Sequence, residues 1–164
     1  MQRVSGFGSV CMLESINRVW RIVATGFCFS VFGLGGLVLR CVVCPLLTVV
    51  VRAPARQQQW SQTIIHYCFR WFVALMNGVG VISYEVHGLD RLKRRGLLIL
   101  ANHPSLIDVV FLISFVRHAD CIVKAQLSRN PFTRGPIRAA GFITNGDGAG
   151  LLEDCVRSLK AGNN

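Results

Sequence analysis

The chain has 164 residues, of which 52% are hydrophobic and 16% are charged, and its formal net charge is +10 at pH 7. These values exclude a disordered tail and are too apolar for an ordinary soluble domain, so they indicate one modest domain associated with a membrane. The basic surplus suits anionic lipid head groups or nucleic acid. Lipid is favoured, because no run of Lys and Arg is interleaved with aromatic residues as in a nucleic-acid-binding module.

The cysteines do not form a recognisable framework. There are seven of them, an odd number without regular spacing, so we expect them to be reduced and either buried or facing the cytosol. Cys41 and Cys44 form a single C-x-x-C inside an apolar run, without a second pair of ligands. Apolar packing explains them better than a metal or redox role, and no metal site is predicted.

Residues 1–56 are predicted to be an apolar membrane-associating segment. Residues 22–39 carry no charge, Arg40 interrupts, and residues 41–51 add a second apolar run. The length is borderline, because crossing a bilayer takes about 20 residues. A bent segment that enters one leaflet and returns is the alternative. It is suggested by residues that disturb a helix or an apolar run, namely Gly33, Gly35, Gly36, Arg40 and Pro45.

Residues 57–80 are predicted to form an amphipathic helix with two distinct faces. The apolar face consists of Trp60, Ile64, Cys68, Trp71, Leu75 and Val79, and the polar face of Gln59, Thr63, His66, Arg70 and Asn77. The helix either packs in a core or lies at the membrane interface, where tryptophans and basic residues are common, and the sequence leaves both open. His66 receives no functional role.

From residue 81 onwards, short apolar runs alternate with polar turns, which predicts a domain over residues 81–164. Strands are predicted at 81–86, 97–101, 121–125 and 141–144, and helices at 105–116 and 151–160. A turn is predicted from residue 145 to 148, and Gly162 is placed to end the last helix. Alternating strands and helices predict an α/β fold.

The most informative stretch is LLILANHPSLIDVVF at residues 97–111. Ser105 followed by Asp108 is typical of a capping box at the start of a helix. Asp108 could also orient His103, so that the free ring nitrogen takes a proton from a substrate hydroxyl, as in half of a catalytic triad. The spacing alone is compatible with both interpretations.

Residues 102–108, Asn-His-Pro-Ser-Leu-Ile-Asp, resemble the first signature block, N-H-x-x-x-x-D, of the lysophospholipid acyltransferase superfamily, which includes the 1-acyl-sn-glycerol-3-phosphate acyltransferases. The resemblance covers roughly residues 60–162. It includes the preceding membrane-associating segment and three later stretches in the usual order and spacing, namely Val123-Lys124-Ala125, Asn130-Pro131 and Arg138-Ala-Ala-Gly141-Phe142-Ile143. It implies an α/β acyltransferase domain with a mixed sheet flanked by helices.

The resemblance implies transfer of a fatty acyl group from acyl-CoA or acyl carrier protein to the hydroxyl of a lysophospholipid, such as lysophosphatidic acid, in phospholipid biosynthesis. His103 would be the general base and Asp108 would orient it, while Asn102 would support the loop. Ser105 is expected to be a helix cap rather than a nucleophile. No metal or tightly bound cofactor is implied. The partners would be the acyl donor and membrane lipids, at the cytoplasmic face of the inner (plasma) membrane.

The sequence departs from the family pattern in two places. The second block commonly supplies an arginine for the acceptor phosphate, but residues 141–150 contain none, so Lys124, Arg134 or Arg138 would take its place. The third block, F-P-E-G-T, usually follows a helix like that at 151–160, so we expect the C-terminal part of the domain to be missing. An inactive membrane-binding fragment is therefore the alternative, and a small basic nucleic-acid-binding protein is a weaker one.

Overall fold

The computed structural model describes the backbone of residues 5–102, 105–130, 133–145 and 148–162, and their side chains except at 5–13, 148 and 149. The helices are α1 (Ser5–Val38), α2 (Cys44–Val50), α3 (Pro54–Gly78), α4 (Leu106–Phe115), α5 (Ala125–Arg129), α6 (Arg134–Ala139) and α7 (Gly148–Lys160). A π-helical segment, Leu39–Val43, joins α1 to α2, and a 3-10 helix covers Leu89–Lys93. The strands are β1 (Ile122–Lys124) and β2 (Ile143–Asn145).

The N-terminal helix runs through α1, the π-helical segment and α2 without leaving the helical conformation. Pro45 explains the π-helical segment, because a proline has no N–H and its ring collides with the carbonyl four residues earlier. The Cys44 N–H bonds instead to the Leu39 carbonyl, five residues back, which is the π pattern. The helix also continues through Gly33, Gly35 and Gly36, so the break that a re-entrant segment would need is not found at these glycines.

The stretch Glu14–Val50 is long and apolar enough to cross a membrane by length and composition, with 37 residues and a mean hydropathy of 2.1. At about 1.5 Å per residue it exceeds the hydrocarbon thickness of roughly 30 Å. Only two of its described side chains are buried, Ala24 and Cys28, each 3% exposed. This pair, one helical turn apart, is where the N-terminal helix enters the protein core.

The core lies between α3 and α4 and has two clusters. The first consists of Cys28, Phe72, Val73, Met76 and Val110, and the second of Ile65, Ile113 and Ala140. Phe32 extends the first cluster from α1, with its ring centroid 5.2 Å from that of Phe72. The Trp20 indole N–H donates to the Val79 carbonyl oxygen at 3.3 Å, which attaches α1 to the end of α3.

The structure decides which face of α3 is buried, a question that the sequence left open. Trp60 and Trp71, on the apolar face named from the sequence, are 56% and 60% exposed. The buried side chains of α3 are Ser61, Gln62, Ile65, His66, Phe72, Val73 and Met76. A polar residue can be buried where it finds a partner, and the His66 Nδ1–H donates to the Ile113 carbonyl oxygen at 2.8 Å. The helix is apolar on several sides, so contact with α4 decides which side becomes the core.

The predicted mixed sheet is reduced to a small parallel one. The predictions at 121–125 and 141–144 are confirmed as β1 and β2, which pair with Ile122 opposite Ile143. Residues 81–86 and 97–101 are fully described and neither segment is a strand. Apolar alternation specifies a face but not a ladder partner, and a strand needs both. The described part of the chain is therefore mostly helical, with α4, α5 and α6 around two strands.

Two helices, α3 and α7, end at glycines with a positive φ angle. Gly80 has φ +76° and its N–H bonds to the Asn77 carbonyl, while the Val81 N–H bonds to the Met76 carbonyl. This pair of bonds is a Schellman motif, and it ends α3 two residues before the predicted limit. Gly162, with φ +81°, closes α7 through a bond to the Leu159 carbonyl. Its predicted role as a helix stop is confirmed.

Candidate active site

The N-terminus of α4 is capped as the sequence predicted. Ser105 has an extended backbone and precedes the helix, and its N–H donates to the Asp108 carboxylate at 3.0 Å. The Ser105 hydroxyl donates to the same carboxylate oxygen at 2.8 Å. The first of these bonds is half of a capping box, whose other half is the Asp108 N–H donating to the Ser105 hydroxyl oxygen. The Asp108 charge also lies at the positive end of the helix dipole, where a negative charge is favoured. Asp108 is thereby held in one orientation, half-buried, in the first turn.

His103 and Pro104 lie outside the described residues, so the pairing of His103 with Asp108 stays a prediction. Asn102 ends the preceding irregular segment and is exposed. Ser105 uses its hydroxyl proton for Asp108, which agrees with a capping role. The chain therefore holds a fixed carboxylate five residues after His103 in the sequence.

Three arginines line a cleft of about 580 Å³ on the side of α5 and α6. Arg129 is the last residue of α5, and Arg134 and Arg138 lie one helical turn apart on one face of α6. The remaining lining residues are Ser128, Ile137, Gly141, Phe142 and Thr144. Among the residues that the structure describes, none of the three guanidinium groups forms an ion pair with a carboxylate. The cleft is therefore positively charged and suited to an anion.

The sequence named two of these arginines and missed the third. Arg134 and Arg138 were candidates for binding the acceptor phosphate, and the structure brings them to one cleft. Lys124 and Asn102, the other candidates, do not line it. Arg129 was missed because α5 and α6 were not predicted, and Ala125, expected to end a strand, begins α5 instead. Residues 126–131, Gln-Leu-Ser-Arg-Asn-Pro, include most of α5 and gave no clear periodicity.

A glycine shapes the wall of this arginine cleft. Gly141 has φ +67°, and its N–H bonds to the Arg138 carbonyl at 3.2 Å. The Phe142 N–H bonds to the Ile137 carbonyl at 3.1 Å, which completes a second Schellman motif. Ile137 and Phe142 are the residues whose apolar contact usually accompanies this motif. The turn therefore ends α6 at Ala139, one residue after Arg138, and leads the chain into β2.

The start of α6 is packed against the N-terminal helix. A Cβ atom added to Gly135 would lie 3.1 Å from Cγ of Arg40, so the aliphatic part of Arg40 occupies the space beside Gly135. Arg40 belongs to the π-helical segment, and its stem covers apolar surface while the charged end stays exposed. The residue that interrupts the apolar run in the sequence is thus the one that touches the helix carrying Arg134.

A cluster of polar side chains lies behind the cleft, around Asp120. The amide nitrogen of Gln62 donates to Oδ1 of Asp120 at 2.5 Å, and that of Gln58 lies 3.5 Å from the same oxygen. The Ser158 hydroxyl of α7 donates to Oδ2. The Asp120 cluster (Gln58, Gln62, Asp120 and Ser158) joins α3, the segment before β1 and α7, and sequence reasoning missed all four residues.

Two pKa values near this cluster are shifted. Burial raises the pKa of the Cys121 thiol to about 11, and the neighbouring Asp120 carboxylate adds to the effect. Burial also lowers the pKa of His118, with further contributions from Arg117, Arg95 and His66. Both shifts favour the uncharged form of the side chain. Cys121 is therefore a packing residue and a poor nucleophile at neutral pH.

Neither metal ligands nor disulfides stand out in the described part of the chain. Among its side chains, no group of three or more His, Cys, Asp or Glu residues could hold a metal ion. The six cysteines whose side chains are described are free, and Cys41 is exposed whereas Cys44 is half-buried.

Comparison with known proteins identifies the domain. The family comparison supports a transferase. The family model described as Acyltransferase matches residues 83–164, which is half of the chain and contains the 102–108 block and the arginine cleft. The chain belongs to this acyltransferase family. No curated protein and no solved structure matches the chain.

Proposed function

We propose that the protein transfers a fatty acyl group from a thioester of coenzyme A or acyl carrier protein to the free hydroxyl of a lysophospholipid, lysophosphatidic acid being the first candidate. The observation that carries the proposal is the family match, because it contains the Asn-His-x-x-x-x-Asp block. The capping box supports it by holding Asp108 in the first turn of α4. Because Asp108 belongs to α4, this helix is the element that positions the carboxylate.

In the proposed reaction His103 takes the proton of the acceptor hydroxyl, and the oxygen attacks the thioester carbonyl. The tetrahedral intermediate then expels the thiolate, which takes the proton from the imidazolium of His103. Asp108 orients the imidazole and stabilises its charge, and Asn102 supports the loop between them. General-base assistance of this kind is usually worth about 10²–10⁴-fold in rate.

The arginine cleft is proposed to bind the phosphate of the substrate. Guanidinium groups bind phosphate oxygens through paired, charge-assisted hydrogen bonds, and Arg129, Arg134 and Arg138 present three of them without a carboxylate in the lining. Lys124, exposed at the end of β1, remains a candidate for a second phosphate contact. The cleft takes over the role that an arginine after Gly141 would have in the family pattern.

The membrane is proposed as the source of the acceptor lipid. Besides the apolar N-terminal helix, α3 exposes Trp60, Tyr67 and Trp71, which share one helix face. Arg117 lies over the Tyr67 ring at 5.8 Å, so this face combines aromatic and basic groups as interfacial helices do. We place the domain at the cytoplasmic face of the inner (plasma) membrane, where free cysteines are stable.

Acyl transfer is the direct test. The full chain, purified in detergent, is incubated with lysophosphatidic acid and radiolabelled acyl-CoA or acyl carrier protein, and labelled phosphatidic acid is measured. We expect turnover that His103→Ala lowers by about 10²–10⁴-fold and that Asp108→Asn lowers markedly. Ser105→Ala retains most of the turnover if Ser105 is a cap.

His87→Ala is the matched control, because His87 is an exposed histidine in the matched region, with its side chain 88% exposed. It is expected to leave turnover unchanged. Turnover that survives His103→Ala would refute the assignment of the base, and loss of turnover in Ser105→Ala with retained folding would favour a serine nucleophile. A chain that binds vesicles and yet transfers no acyl group from either donor would favour the non-catalytic alternative. Retention on DNA rather than on vesicles would favour the nucleic-acid-binding one.

A further inference from the structure

The turn that ends α6 is held from behind by α3. Gln62 is 4% exposed, and its amide nitrogen donates both to Asp120 and, at 3.1 Å, to the Ala140 carbonyl oxygen. A carboxylate and a carbonyl can only accept hydrogen bonds here, so only the NH₂ end of the amide fits between them. Gln62 is therefore fixed in one orientation between the Asp120 cluster and the turn.

A second amide of α3 contacts the next residue of the turn. A Cβ atom on Gly141 would lie 2.5 Å from the Gln58 amide nitrogen, so the Gln58 side chain packs directly on the glycine backbone. Gly141 also lines the arginine cleft, and its N–H bonds to the carbonyl of Arg138. The two amides thus contact one side of the Ala140–Gly141 turn, and the other side of the turn forms part of the cleft.

The short helix α6 needs such outside contacts. It covers only Arg134–Ala139, and helices of this length have little stability of their own in water. The Ala140 carbonyl is one of the groups left without an intrahelical partner at a helix end, and Gln62 supplies that partner. The direction of the Arg138 side chain therefore depends on where the C-terminal end of α6 is held.

We propose that Gln62, anchored on Asp120, is a positioning residue for anion binding in the arginine cleft. It fixes the turn after α6, so that Arg134 and Arg138 converge on one phosphate before the ligand arrives. Binding to a preorganised site does not have to order the arginines, and it is correspondingly tighter. The inference rests on the proposed function, because it takes the cleft to be the phosphate-binding site.

The test compares two variants that remove different bonds to the same carboxylate. Gln62→Met keeps the length of the side chain and removes both donated bonds, whereas Ser158→Ala removes only the bond from α7 to Oδ2 of Asp120. Affinities for inorganic phosphate and for glycerol 3-phosphate are measured by isothermal titration calorimetry on the full chain in detergent at constant ionic strength. Thermal unfolding of each variant is recorded in the same buffer.

We expect Gln62→Met to weaken phosphate binding by about five- to tenfold, the factor that corresponds to one well-placed hydrogen bond. Ser158→Ala is expected to lower the melting temperature about as much as Gln62→Met does. It is expected to bind phosphate with the affinity of the wild type. Equal loss of affinity in both variants would reduce Gln62 to a general structural role and overturn the proposal. Wild-type affinity in Gln62→Met would overturn it as well.

A second variant decides the question if Gln62→Met does not fold. Gln58→Ala removes the amide that packs on Gly141 and is expected to weaken phosphate binding by about threefold, a fraction of the effect of one hydrogen bond. Unchanged affinity in this variant would overturn the proposal. Absence of phosphate binding by the wild type would refute the phosphate site itself, and the positioning role with it. A third outcome is that the wild type binds phosphate, Arg138→Gln abolishes the binding, and the two α3 variants leave it unchanged. This outcome would refute the positioning role alone.

Discussion

The N-terminal helix exposes most of its large apolar side chains, whereas the part of the chain that follows it buries an apolar core together with a few polar side chains. Between residues 14 and 50, large apolar side chains point outward, among them Trp20, Phe29 and Val49, which are 56%, 70% and 76% exposed. In the domain, the polar residues Gln62 and His66 are almost fully buried, at 4% and 6% exposure. The helix thus departs from the simple expectation of an apolar inside and a polar outside by exposing apolar side chains, and the domain departs from it by burying a few polar ones.

This contrast is the one expected for a helix in lipid and a domain in water. A helix satisfies its own backbone hydrogen bonds and can therefore leave apolar side chains facing lipid. The domain has to pack α3 against α4 and also connect short helices to a two-stranded sheet, and buried amides make those connections. Buried polar groups of this kind are stable only while they are hydrogen-bonded.

The largest expected effect separates the inner and outer faces of α3. Met76→Ala should lower the free energy of unfolding by about 2–5 kcal/mol, because it empties a site that is 1% exposed in the first core cluster. Trp71→Ala on the outer face should cost far less stability and should instead weaken binding to anionic vesicles. Chemical denaturation and vesicle co-sedimentation measure the two effects. Similar losses of stability in both variants would show that the outer face is packed as tightly as the inner one.

The second effect concerns the N-terminal helix. Phe29→Lys places a charge in the middle of the exposed apolar stretch and should cost about 2.5–3.5 kcal/mol in membrane insertion, whereas Phe29→Leu should cost little. We expect the wild type and Phe29→Leu to stay in the membrane pellet after carbonate washing and Phe29→Lys to be partly released. Release of the wild type by carbonate would mean peripheral binding. A wild type that is soluble without detergent would contradict membrane association altogether.

The smallest effect concerns pH and the interior of the domain. Because the pKa of Cys121 is raised from 9.0 to about 11, its alkylation in the folded chain should be slower than in denaturant by about ten- to a hundredfold below pH 9. The neutral thiol stabilises the fold below pH 9, and this contribution is lost as the pH rises through about 11. Site-resolved mass spectrometry after pulse alkylation measures the rate, and Cys121→Ala identifies the peptide. Equal rates in native and denatured protein at pH 8.5 would contradict the buried environment.

Strong local signals allowed part of this structure to be predicted. The capping box of Ser105 and Asp108, the paired segments that became β1 and β2, and the stop at Gly162 were all read from a few neighbouring residues. Which side of α3 is buried was left open, because its sequence is apolar on more than one side and only α4 selects between them. The strands expected at 81–86 and 97–101 failed for a related reason, since alternation does not provide a pairing partner.

The sequence by itself determined the properties that depend on composition and short spacing: the long apolar segment, the family block at 102–108, and Arg134 and Arg138 as candidate phosphate ligands. Tertiary structure alone decided which distant residues meet. Arg129 joins Arg134 and Arg138 only because α5 and α6 pack together, and Gln62 reaches Asp120 and Ala140 across 58 and 78 residues of chain. Such contacts carry no local pattern, because a hydrogen bond between distant residues depends on the path of the whole chain and not on the neighbours of either one.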